Sequence, residues 1–314
     1  MVVTDLHGDW DLYRRYRDHF LKQKARDELH TLVIAGDYIH SDGPPETDRS
    51  LDIVLDLMAL QTALGSTVVT LLGNHELPHI YHIPLSRGER VYTPRFETAL
   101  GSHRQQIYAF FDALPIWVPT RAGITICHAG AFSEVHNPAN ADLLFSFSHQ
   151  KVLDYAGKLL VPEARPMLRQ RIAEDMHMPY SDIVNAYLAV DSDTSPRYDD
   201  YLLGAAASQV KEFELLWSAL FSSNELQYGS RIYSRHVKAL LAALSEVFYP
   251  QHVLVTGHIG CPGGFKLLAH NHQLRLASGP HAYPAEAAKF LVFDAAQPVK
   301  DARDLLSGVH PIPK

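Results

Sequence analysis

Short apolar runs alternate with longer segments of helical periodicity along the first 130 residues of the chain. The apolar runs are three to five residues long and predict buried strands at 2–4, 31–35, 68–72, 116–118 and 124–127. Apolar residues at helical spacing predict one helix that begins after Asp9, its candidate N-cap, and further helices over 49–64 and 95–114. Strands that alternate with helices indicate an α/β fold.

The pattern changes from about residue 133 to 250, where apolar positions follow helical spacing almost throughout. Beyond this stretch, 253–260 predicts a strand, and 265–269, 274–277 and 290–293 predict antiparallel strands. We therefore expect a single domain over residues 1–314, with a helical insertion at about 133–250 that caps the site.

Polar residues stand just past the C-terminal ends of the predicted strands. Asp5, Asp37, Asn74 and His128 each follow an apolar run, and His258 lies in the later strand segment. The carboxyl ends of the strands are where α/β sheets bind ligands. These side chains are therefore the first candidates for a functional site.

Composition narrows the range of functions. The chain has 314 residues, a net charge of −7, and 19 histidines against 2 cysteines. No apolar run approaches the roughly 20 residues needed to cross a bilayer, and the start, MVVTDLHGDW, has no basic-then-apolar leader. The two cysteines cannot form a disulfide framework, so we expect a cytoplasmic protein with no membrane partner. An acidic chain without a long basic run is also a poor ligand for duplex nucleic acid.

The polar stretches carry weight only as a set. Asp-x-His and Gly-Asp are common turn sequences, and a lone histidine on an apolar strand is more often packed than functional. Together they offer imidazole, carboxylate and amide oxygen, which are the ligand types that Mn, Fe and Zn favour. The histidine excess therefore points to metal chemistry.

The series Asp-x-His, Gly-Asp, Gly-Asn-His-Glu, His and Gly-His resembles the calcineurin-like metallophosphoesterases, and more closely their phosphoprotein-phosphatase branch. Residues 114–116 (LPI) and 127–130 (CHAG) resemble that branch's LPI…CHGG segment, and 214–218 (ELLWS) resemble its DLLWSDP segment without the DP. The similarity covers residues 1–130 and about 212–295. It implies a four-layer α-β-β-α sandwich with a helical insertion.

The resemblance also implies two divalent metal ions, Mn, Fe or Zn, that share one carboxylate. The implied ligands are Asp5, His7 and Asp37 for one ion, and Asp37, Asn74, His128 and His258 for the other. Two such ions, about 3.5–4 Å apart, clamp a phosphate and lower the pKa of a bridging water. The resulting hydroxide attacks phosphorus directly, while His75, as imidazolium, donates a proton to the leaving oxygen.

The chain departs from the phosphatase pattern after its Gly-Asp, where the branch has GDxxDRG and residues 36–43 read GDYIHSDG. His40 stands at the position of the second Asp, which in the branch supports the catalytic histidine. Ser41 stands at the position of the Arg, so one phosphate-binding arginine is missing. Asp42 is the candidate substitute for the missing carboxylate. The departure weakens the case for protein substrates more than the case for metal chemistry.

Two later features concern the substrate and the last ligand segment. Arg231 matches the family's phosphate-binding arginine in position, and Arg235 is the competing candidate. With His40 and Asp42, these residues form the predicted substrate-binding set. The broader family often ends on GHxH, whereas residues 257–260 (GHIG) have one histidine, as in the phosphatase branch.

Rival motifs are weaker. Residues 75–79 (HELPH) match the zinc-protease motif HExxH, which requires a helix, but Pro78 disfavours one. Residues 270–272 (HNH) lie between predicted strands without the context of a nuclease, and glycines 260–264 lack the Lys-Ser/Thr of a P-loop.

The favoured function is hydrolysis of a phosphomonoester by direct attack of a metal-bridging hydroxide. The alternative is a dinucleoside polyphosphate hydrolase of the diadenosine tetraphosphate type, and a third candidate is a cyclic nucleotide or small phosphomonoester as substrate. A non-catalytic metal-binding scaffold is disfavoured because all six ligand positions are filled. The partner would be a phosphorylated small molecule, nucleotide or phosphoprotein, and the sequence specifies no oligomeric state.

Overall fold

The computed structural model describes residues 1–28 and 30–313 and divides the chain into two compact units. The first unit comprises Met1–His75, Leu114–Asp142 and Trp217–Lys314, and the second comprises Glu76–Ala113 and Leu143–Leu216. The stretch at about 133–250, expected to be one insertion, is thus shared between the two units. That the whole chain forms a single domain stays a prediction.

The strands are short throughout. In chain order they are β1 (Val2–Val3), β2 (Leu32–Ile34), β3 (Val68–Thr70), β4 (Ser86–Arg87), β5 (Arg90–Val91), β6 (Trp117–Pro119), β7 (Ile124–Cys127), β8 (Val253–Thr256), β9 (Cys261–Pro262), β10 (Phe265–Leu268), β11 (Gln273–Leu276), β12 (Ala282–Tyr283), β13 (Lys289–Leu291) and β14 (Val309–Pro311).

The helices range from four to eighteen residues. In chain order they are α1 (Trp10–Lys24), α2 (Ser50–Leu64), α3 (Leu77–Tyr81), α4 (Thr93–Leu100), α5 (Arg104–Asp112), α6 (Pro138–Phe145), α7 (His149–Leu159), α8 (Arg165–Met176), α9 (Tyr180–Leu188), α10 (Asp200–Ala207), α11 (Lys211–Phe221), α12 (Glu225–Tyr228) and α13 (Ser230–Val247). No helix in the described part of the chain is long and apolar enough to span a membrane.

The first unit contains two five-stranded mixed sheets, which confirms the predicted α/β class. One sheet has the order β14-β13-β1-β2-β3, with β1, β2 and β3 parallel, and the other has the order β10-β11-β8-β7-β6, with β11, β8 and β7 parallel. Both sheets contribute to one apolar core, in which Val2 and Val33 of the first pack with Ile126 and Val255 of the second. Helices α1 and α2 pack on the first sheet and α13 on the second, giving the α-β-β-α layering.

Helix α1 forms where the sequence predicts it. The Asp9 side chain accepts a hydrogen bond from the Leu12 amide at 2.9 Å and caps the first turn. Tyr13, Tyr16 and Phe20 are buried on one face. The cap and the buried face fix α1 directly after residues 5–9, the first polar stretch of the chain.

Two predicted elements differ in the structure. The helix expected over 95–114 is two helices, α4 and α5. Gly101 follows α4 with a φ of +49°, a left-handed conformation that ends the helix. The last predicted strand does not pair with β11: β13 joins the first sheet beside β1, and β11 lies parallel to β8. A short buried strand has the same apolar pattern in either sheet, so periodicity does not specify its partner.

The second unit is mostly helical, with a short hairpin of β4 and β5 that the sequence did not indicate. Its core includes Tyr180, Val184 and Leu202 from α9 and α10. Helices α3 and α10 approach closely at Gly204, where a Cβ would lie 2.5 Å from the Tyr81 carbonyl oxygen. Residues 191–196 form a loop between α9 and α10.

Candidate metal centre

The loops that follow β1 and β2, and those that follow β7 and β8, are joined in pairs by backbone hydrogen bonds. The Asp5 amide donates to the Gly36 carbonyl at 3.3 Å, the His7 amide to the Asp37 carbonyl at 3.0 Å, and the Gly257 amide to the His128 carbonyl at 2.9 Å. The predicted polar residues are therefore brought to one place by the parallel topology, as the strand-end pattern predicts.

Several of these residues have an unusual backbone conformation. Asp5, His7, Asp37 and His258 have φ values of 52°, 45°, 54° and 68°. A non-glycine residue in this left-handed region costs of the order of 1–3 kcal/mol and persists only where the surroundings impose it. Four of the six predicted ligands are strained in this way, which is typical of a site shaped for function rather than for stability.

Three ligand atoms converge tightly at the end of β7 and β8. His128 Nε2 lies 2.7 Å from Asn74 Oδ1 and 3.2 Å from His258 Nδ1, and the last two atoms are 2.9 Å apart. Asp37 Oδ2 is 3.3 Å from His128 Nε2. Ligands about 2.1 Å from one ion and at right angles are separated by about 3.0 Å. The group therefore fits a single small cation.

The protonation pattern at His128 supports the same conclusion. His128 Nδ1 lies 2.8 Å from the Ala35 carbonyl oxygen and donates its proton there, because that oxygen can only accept. In the neutral ring, Nε2 then carries a lone pair, which faces the side-chain oxygens of Asn74 and Asp37. Lone pairs at such distances repel unless a proton or a metal ion lies between them.

A second group lies around Asp5 and His7. Asp5, His7 and His281 offer ligand atoms that all lie within 4.8 Å of one another, as do His7, Asp37 and His75, and Asp37, His128 and His258. His7 Nε2 is buried and has no hydrogen-bond partner among the described residues. Asp37 belongs to two of the three groups, which is the placement expected of a bridging carboxylate.

Both buried carboxylates are oriented by backbone amides of neighbouring loops. The His258 amide donates to Asp5 at 2.8 Å, and the His75 amide donates to Asp37 Oδ1 at 3.0 Å. At Gly257 a Cβ would lie 2.2 Å from Asp5 Oδ2, so the Gly-His motif needs its glycine for this contact. Each amide leaves the carboxylate with further lone pairs for a cation.

The charges within the cluster shift its titrating groups. Burial would raise the pKa of Asp5, but the interaction with His281 and the charge of His128 together outweigh burial and lower that pKa to about 2. Burial likewise opposes ionisation of Asp37, yet His128 and His75 hold its pKa well below the usual range. Burial lowers the pKa of His258 to about 3, so its ring is neutral. Charged carboxylates and a neutral imidazole are the forms that bind metal.

His128 is the exception. Burial disfavours its charge, but the neighbouring Asp37 carboxylate raises its pKa to about 9. In the protein alone, His128 therefore carries the proton that separates the facing lone pairs. A metal ion would displace that proton.

His75 lies beside this cluster and against His40. His75 Nδ1 is 3.1 Å from His40 Nδ1, and His75 Nε2 is 3.9 Å from Asp37 Oδ2. His40 is buried, and its amide donates to Ser50 Oγ at 2.8 Å. His40, one of the two candidates to support His75, is thus in contact with it. Burial lowers the pKa of His75 to about 3.

The other predicted substrate-binding residues lie elsewhere in the first unit. Asp42 lines a cavity of about 530 Å³ together with His7 and Arg49. Arg231 is exposed on α13 and lines a different cavity with Lys266, in which none of the six predicted ligands takes part. Arg235 is exposed on the same helix. The structure therefore brings His40 to His75 and Asp42 to the cavity beside His7, and it places the two arginines on α13.

His281 is the residue that the sequence did not single out. It lies in the loop before β12, not at the end of a predicted strand, and HAY has no metal-ligand spacing. Its only signal was membership in the histidine excess. The structure places its Nδ1 3.4 Å from Asp5 Oδ1.

The HExxH alternative is not compatible with the structure. Helix α3 begins at Leu77, after His75, so the two histidines do not share a helix. His79 is fully buried, and its Nδ1 lies 2.6 Å from Glu97 Oε1.

The chain was compared with family models, curated sequences and solved structures. The model of the calcineurin-like phosphoesterase family matches residues 1–208. No curated protein sequence matches the chain. Among solved structures, a protein serine/threonine phosphatase from Saccharomyces cerevisiae, with similarity to human phosphatase PP5, is 13% identical, with a TM-score of 0.47 over 100% of this chain and 79% of that one.

Two further similar structures are tyrosine phosphatases. A cold-active protein tyrosine phosphatase is 14% identical, with a TM-score of 0.46 over 92% of this chain and 72% of its own. The cold-active enzyme of a psychrophile, Shewanella sp., is 16% identical, with a TM-score of 0.41 over 92% and 73%. The family match covers about two thirds of the chain, including the first four ligand segments. The protein belongs to the calcineurin-like phosphoesterases, a metal-binding family, and is a phosphoester-hydrolysing enzyme.

Proposed function

We propose that the protein is a dinuclear-metal-dependent phosphomonoesterase. The observation that carries this proposal is the convergence of lone pairs from His128, Asn74 and His258 on one point, with Asp37 shared between that group and the group at His7. Such a set is stable with a metal ion between its members, and without one it depends on the proton that His128 carries.

The ligands proposed for the two ions are those that the family resemblance implies, and the observed groups support them by placing Asp5 with His7 and His7 with Asp37. One ion would be held by Asp5, His7 and Asp37, and the second by Asp37, Asn74, His128 and His258. Nitrogen and oxygen ligands in this mixture suit Mn, Fe or Zn. We therefore propose that the two ions are drawn from these metals rather than from Mg or Ca. Bound ions would neutralise a phosphate and lower the pKa of an attacking water.

The surrounding residues would do the rest of the chemistry. Asp37 would fix the spacing of the two sites, because its Oδ1 is already held by the His75 amide and its Oδ2 faces His128. His75 is neutral before substrate binds, because its pKa is about 3, and the charge of a bound phosphate would raise that pKa. The protonated ring would then donate a proton to the leaving oxygen through Nε2, the ring nitrogen turned toward Asp37. His40, in contact with Nδ1, would keep the ring in that orientation.

For the substrate, we propose a phosphomonoester, with dinucleoside polyphosphates as the alternative. We also propose that Asp42 contacts the part of the substrate beyond the phosphate, whereas phosphate binding by Arg231 or Arg235 stays a prediction, because Arg231 lines a different cavity from the ligands. The cavity beside His7, about 530 Å³ and lined by Asp42, supports a substrate that extends past the phosphoryl group. Free, buried Cys127 and Cys261 support a reducing, cytoplasmic location.

The test is hydrolysis of p-nitrophenyl phosphate by the full chain, first stripped with a chelator and then supplied with Mn²⁺, Fe²⁺ or Zn²⁺. Activity that depends on added metal supports the proposal. A chain that stays inert with every metal contradicts it and leaves a metal-binding scaffold.

Substrate class is decided by a panel of phosphopeptide, diadenosine tetraphosphate and a bis-aryl phosphodiester under the same conditions. The proposal expects the highest kcat/KM for the monoester. A preference for diadenosine tetraphosphate would favour the alternative.

A further inference from the structure

We propose that His281 is an additional protein ligand of the ion held by Asp5 and His7. The inference rests on the proposed metal centre and adds a residue to it. His281 has neither the strand-end position nor the motif of the other ligands, and it reaches the site from a later loop.

Distances place His281 in the site. Its Nδ1 is 3.4 Å from Asp5 Oδ1, and its ring centroid is 4.8 Å from that of His7. The ligand atoms of His281, Asp5 and His7 all lie within 4.8 Å of one another. One carboxylate oxygen and two imidazole nitrogens at this spacing are a ligand set for Mn, Fe or Zn.

The hydrogen-bond inventory leaves these nitrogens available. His281 Nδ1 and His7 Nε2 are both buried, and neither has a hydrogen-bond partner among the described residues. The 3.4 Å approach of Nδ1 to Asp5 does not meet hydrogen-bond geometry. Each nitrogen faces a carboxylate, His281 Nδ1 at 3.4 Å from Asp5 and His7 Nε2 at 4.0 Å from Asp37, without a hydrogen bond. Buried ring nitrogens without hydrogen bonds cost free energy, and a cation between them and Asp5 would satisfy both.

The loop that carries His281 is firmly placed. The His281 carbonyl accepts from the Cys261 amide at 2.9 Å, and β12 pairs with β9 directly after it. The Ala282 amide donates to the Gly279 carbonyl at 3.0 Å and closes a turn around the histidine. At Gly279 a Cβ would lie 2.6 Å from the Asp5 carbonyl oxygen, so the turn packs on the backbone of Asp5 itself.

The same loop explains the sequence after His258. At Gly260 a Cβ would lie 2.5 Å from the Tyr283 ring and 3.1 Å from the His281 carbonyl oxygen. A side chain at Gly260 would therefore collide with the segment that presents His281. The loop that carries His281 thus fills the space beside residues 257–260 (GHIG) and places His281 next to Asp5.

The experiment uses the full chain with Co²⁺ in place of the native metal. A cysteine at position 281 that coordinates Co²⁺ gives a thiolate-to-metal charge-transfer absorption in the near ultraviolet, and one that does not coordinate gives none. The matched control is His310→Cys, at an exposed histidine of the same unit. We expect the absorption in His281→Cys and not in His310→Cys or the wild type.

Metal affinity supplies a second measure. His281→Ala should weaken binding of one ion by more than about 100-fold, beyond the 10–100-fold typical for loss of an outer-sphere partner, with the other ion retained. In the wild-type Co²⁺ form, each histidine that binds the metal should give one hyperfine-shifted imidazole N–H resonance. His7, His128 and His258 account for three, and we expect a fourth from His281. This count needs no variant, so a misfolded His281→Cys does not prevent the test.

The outcomes separate this inference from the proposed function. A folded His281→Cys without charge transfer, or a wild-type spectrum without the extra resonance, overturns the inference even if His281→Ala binds metal more weakly. A wild-type chain that binds no metal at all overturns the proposed function instead.

Discussion

Two buried clusters of histidine and carboxylate differ in one respect that decides what each can do. In the second unit, the Glu97 carboxylate lies 2.6 Å from His79 Nδ1, accepts from the Tyr108 hydroxyl at 2.7 Å, and is paired with Arg104 and Arg197 at 3.3 and 3.0 Å. Every contact of that carboxylate joins an acceptor to a donor. The cluster is complete as it stands.

In the first unit the contacts are of the opposite kind. His128 Nε2, Asn74 Oδ1 and His258 Nδ1 can all act as acceptors, and they lie within 3.2 Å of one another. Both clusters are buried and combine histidine with carboxylate, but only in this one do the acceptors depend on a proton or a metal ion placed between them. A buried histidine is thus informative through the polarity of its neighbours, and its burial alone says little.

The largest expected effect is that of Asp37→Asn. The variant loses the oxygen charge shared by two ligand groups, so activity should fall by on the order of 10³-fold or more, exceeding the 10–100-fold typical for an outer-sphere partner. Turnover of p-nitrophenyl phosphate and metal content measure it. Asp56→Asn, at a carboxylate that accepts from the Tyr13 hydroxyl, is the matched control and should keep both.

Next in size is His75→Asn. Loss of a general acid should lower kcat by on the order of 10²-fold or more while metal content stays that of the wild type. The loss should be larger for an alkyl phosphate than for p-nitrophenyl phosphate, whose leaving group needs no proton. Because His75 also lies within 4.8 Å of His7 and Asp37, loss of metal in this variant would reassign it as a ligand.

A smaller effect, on stability alone, is expected from Glu97→Gln. Removing the charge leaves Arg104, Arg197 and His79 without their buried partner, which should lower the free energy of unfolding by about 3–5 kcal/mol. Chemical denaturation measures the change, and metal content should not move. The control Glu214→Gln breaks an exposed pair with Lys211 and should cost less than about 1 kcal/mol. Metal loss on Glu97→Gln would erase the distinction between the clusters.

The smallest effect is the pH dependence of the difference in unfolding free energy between the wild type and Glu97→Gln. Burial favours protonated Glu97, but the hydrogen bond and charge of His79 lower its pKa from 4.5 to about 2. A depressed folded-state pKa gives stability that is complete above the unfolded pKa and is lost as pH falls through the folded one. The stability gap between wild type and Glu97→Gln should therefore shrink from about pH 4.5 to pH 2. A gap that widens on acidification would contradict the assigned ion pairs.

The part of the site predictable from sequence is the part that the parallel strands position. Four ligands could be predicted because each stands just after a short apolar run, and the carboxyl ends of parallel strands are where ligands bind. They are Asp5, Asp37, Asn74 and His128. The α/β class and the cap of α1 at Asp9 follow from equally local signals.

What the sequence did not indicate depends on long-range contacts. His281 reaches Asp5 only through the pairing of β12 with β9, and β13 reaches β1 across most of the chain. His79 lies in a motif typical of a metal site, and only its contact with Glu97 shows that it is structural. Local pattern specifies which residues can be ligands, and tertiary contacts specify which of them meet.

Our main proposal is that the six proposed ligands of the first unit hold two metal ions that share Asp37. Its most direct test is the metal-to-protein ratio of the full chain by native mass spectrometry after equilibration with Mn²⁺. The account predicts about two ions per chain, lost together or singly in Asp37→Asn and retained in Glu97→Gln. A wild-type chain without bound metal, or with the same metal content in Asp37→Asn, would contradict it.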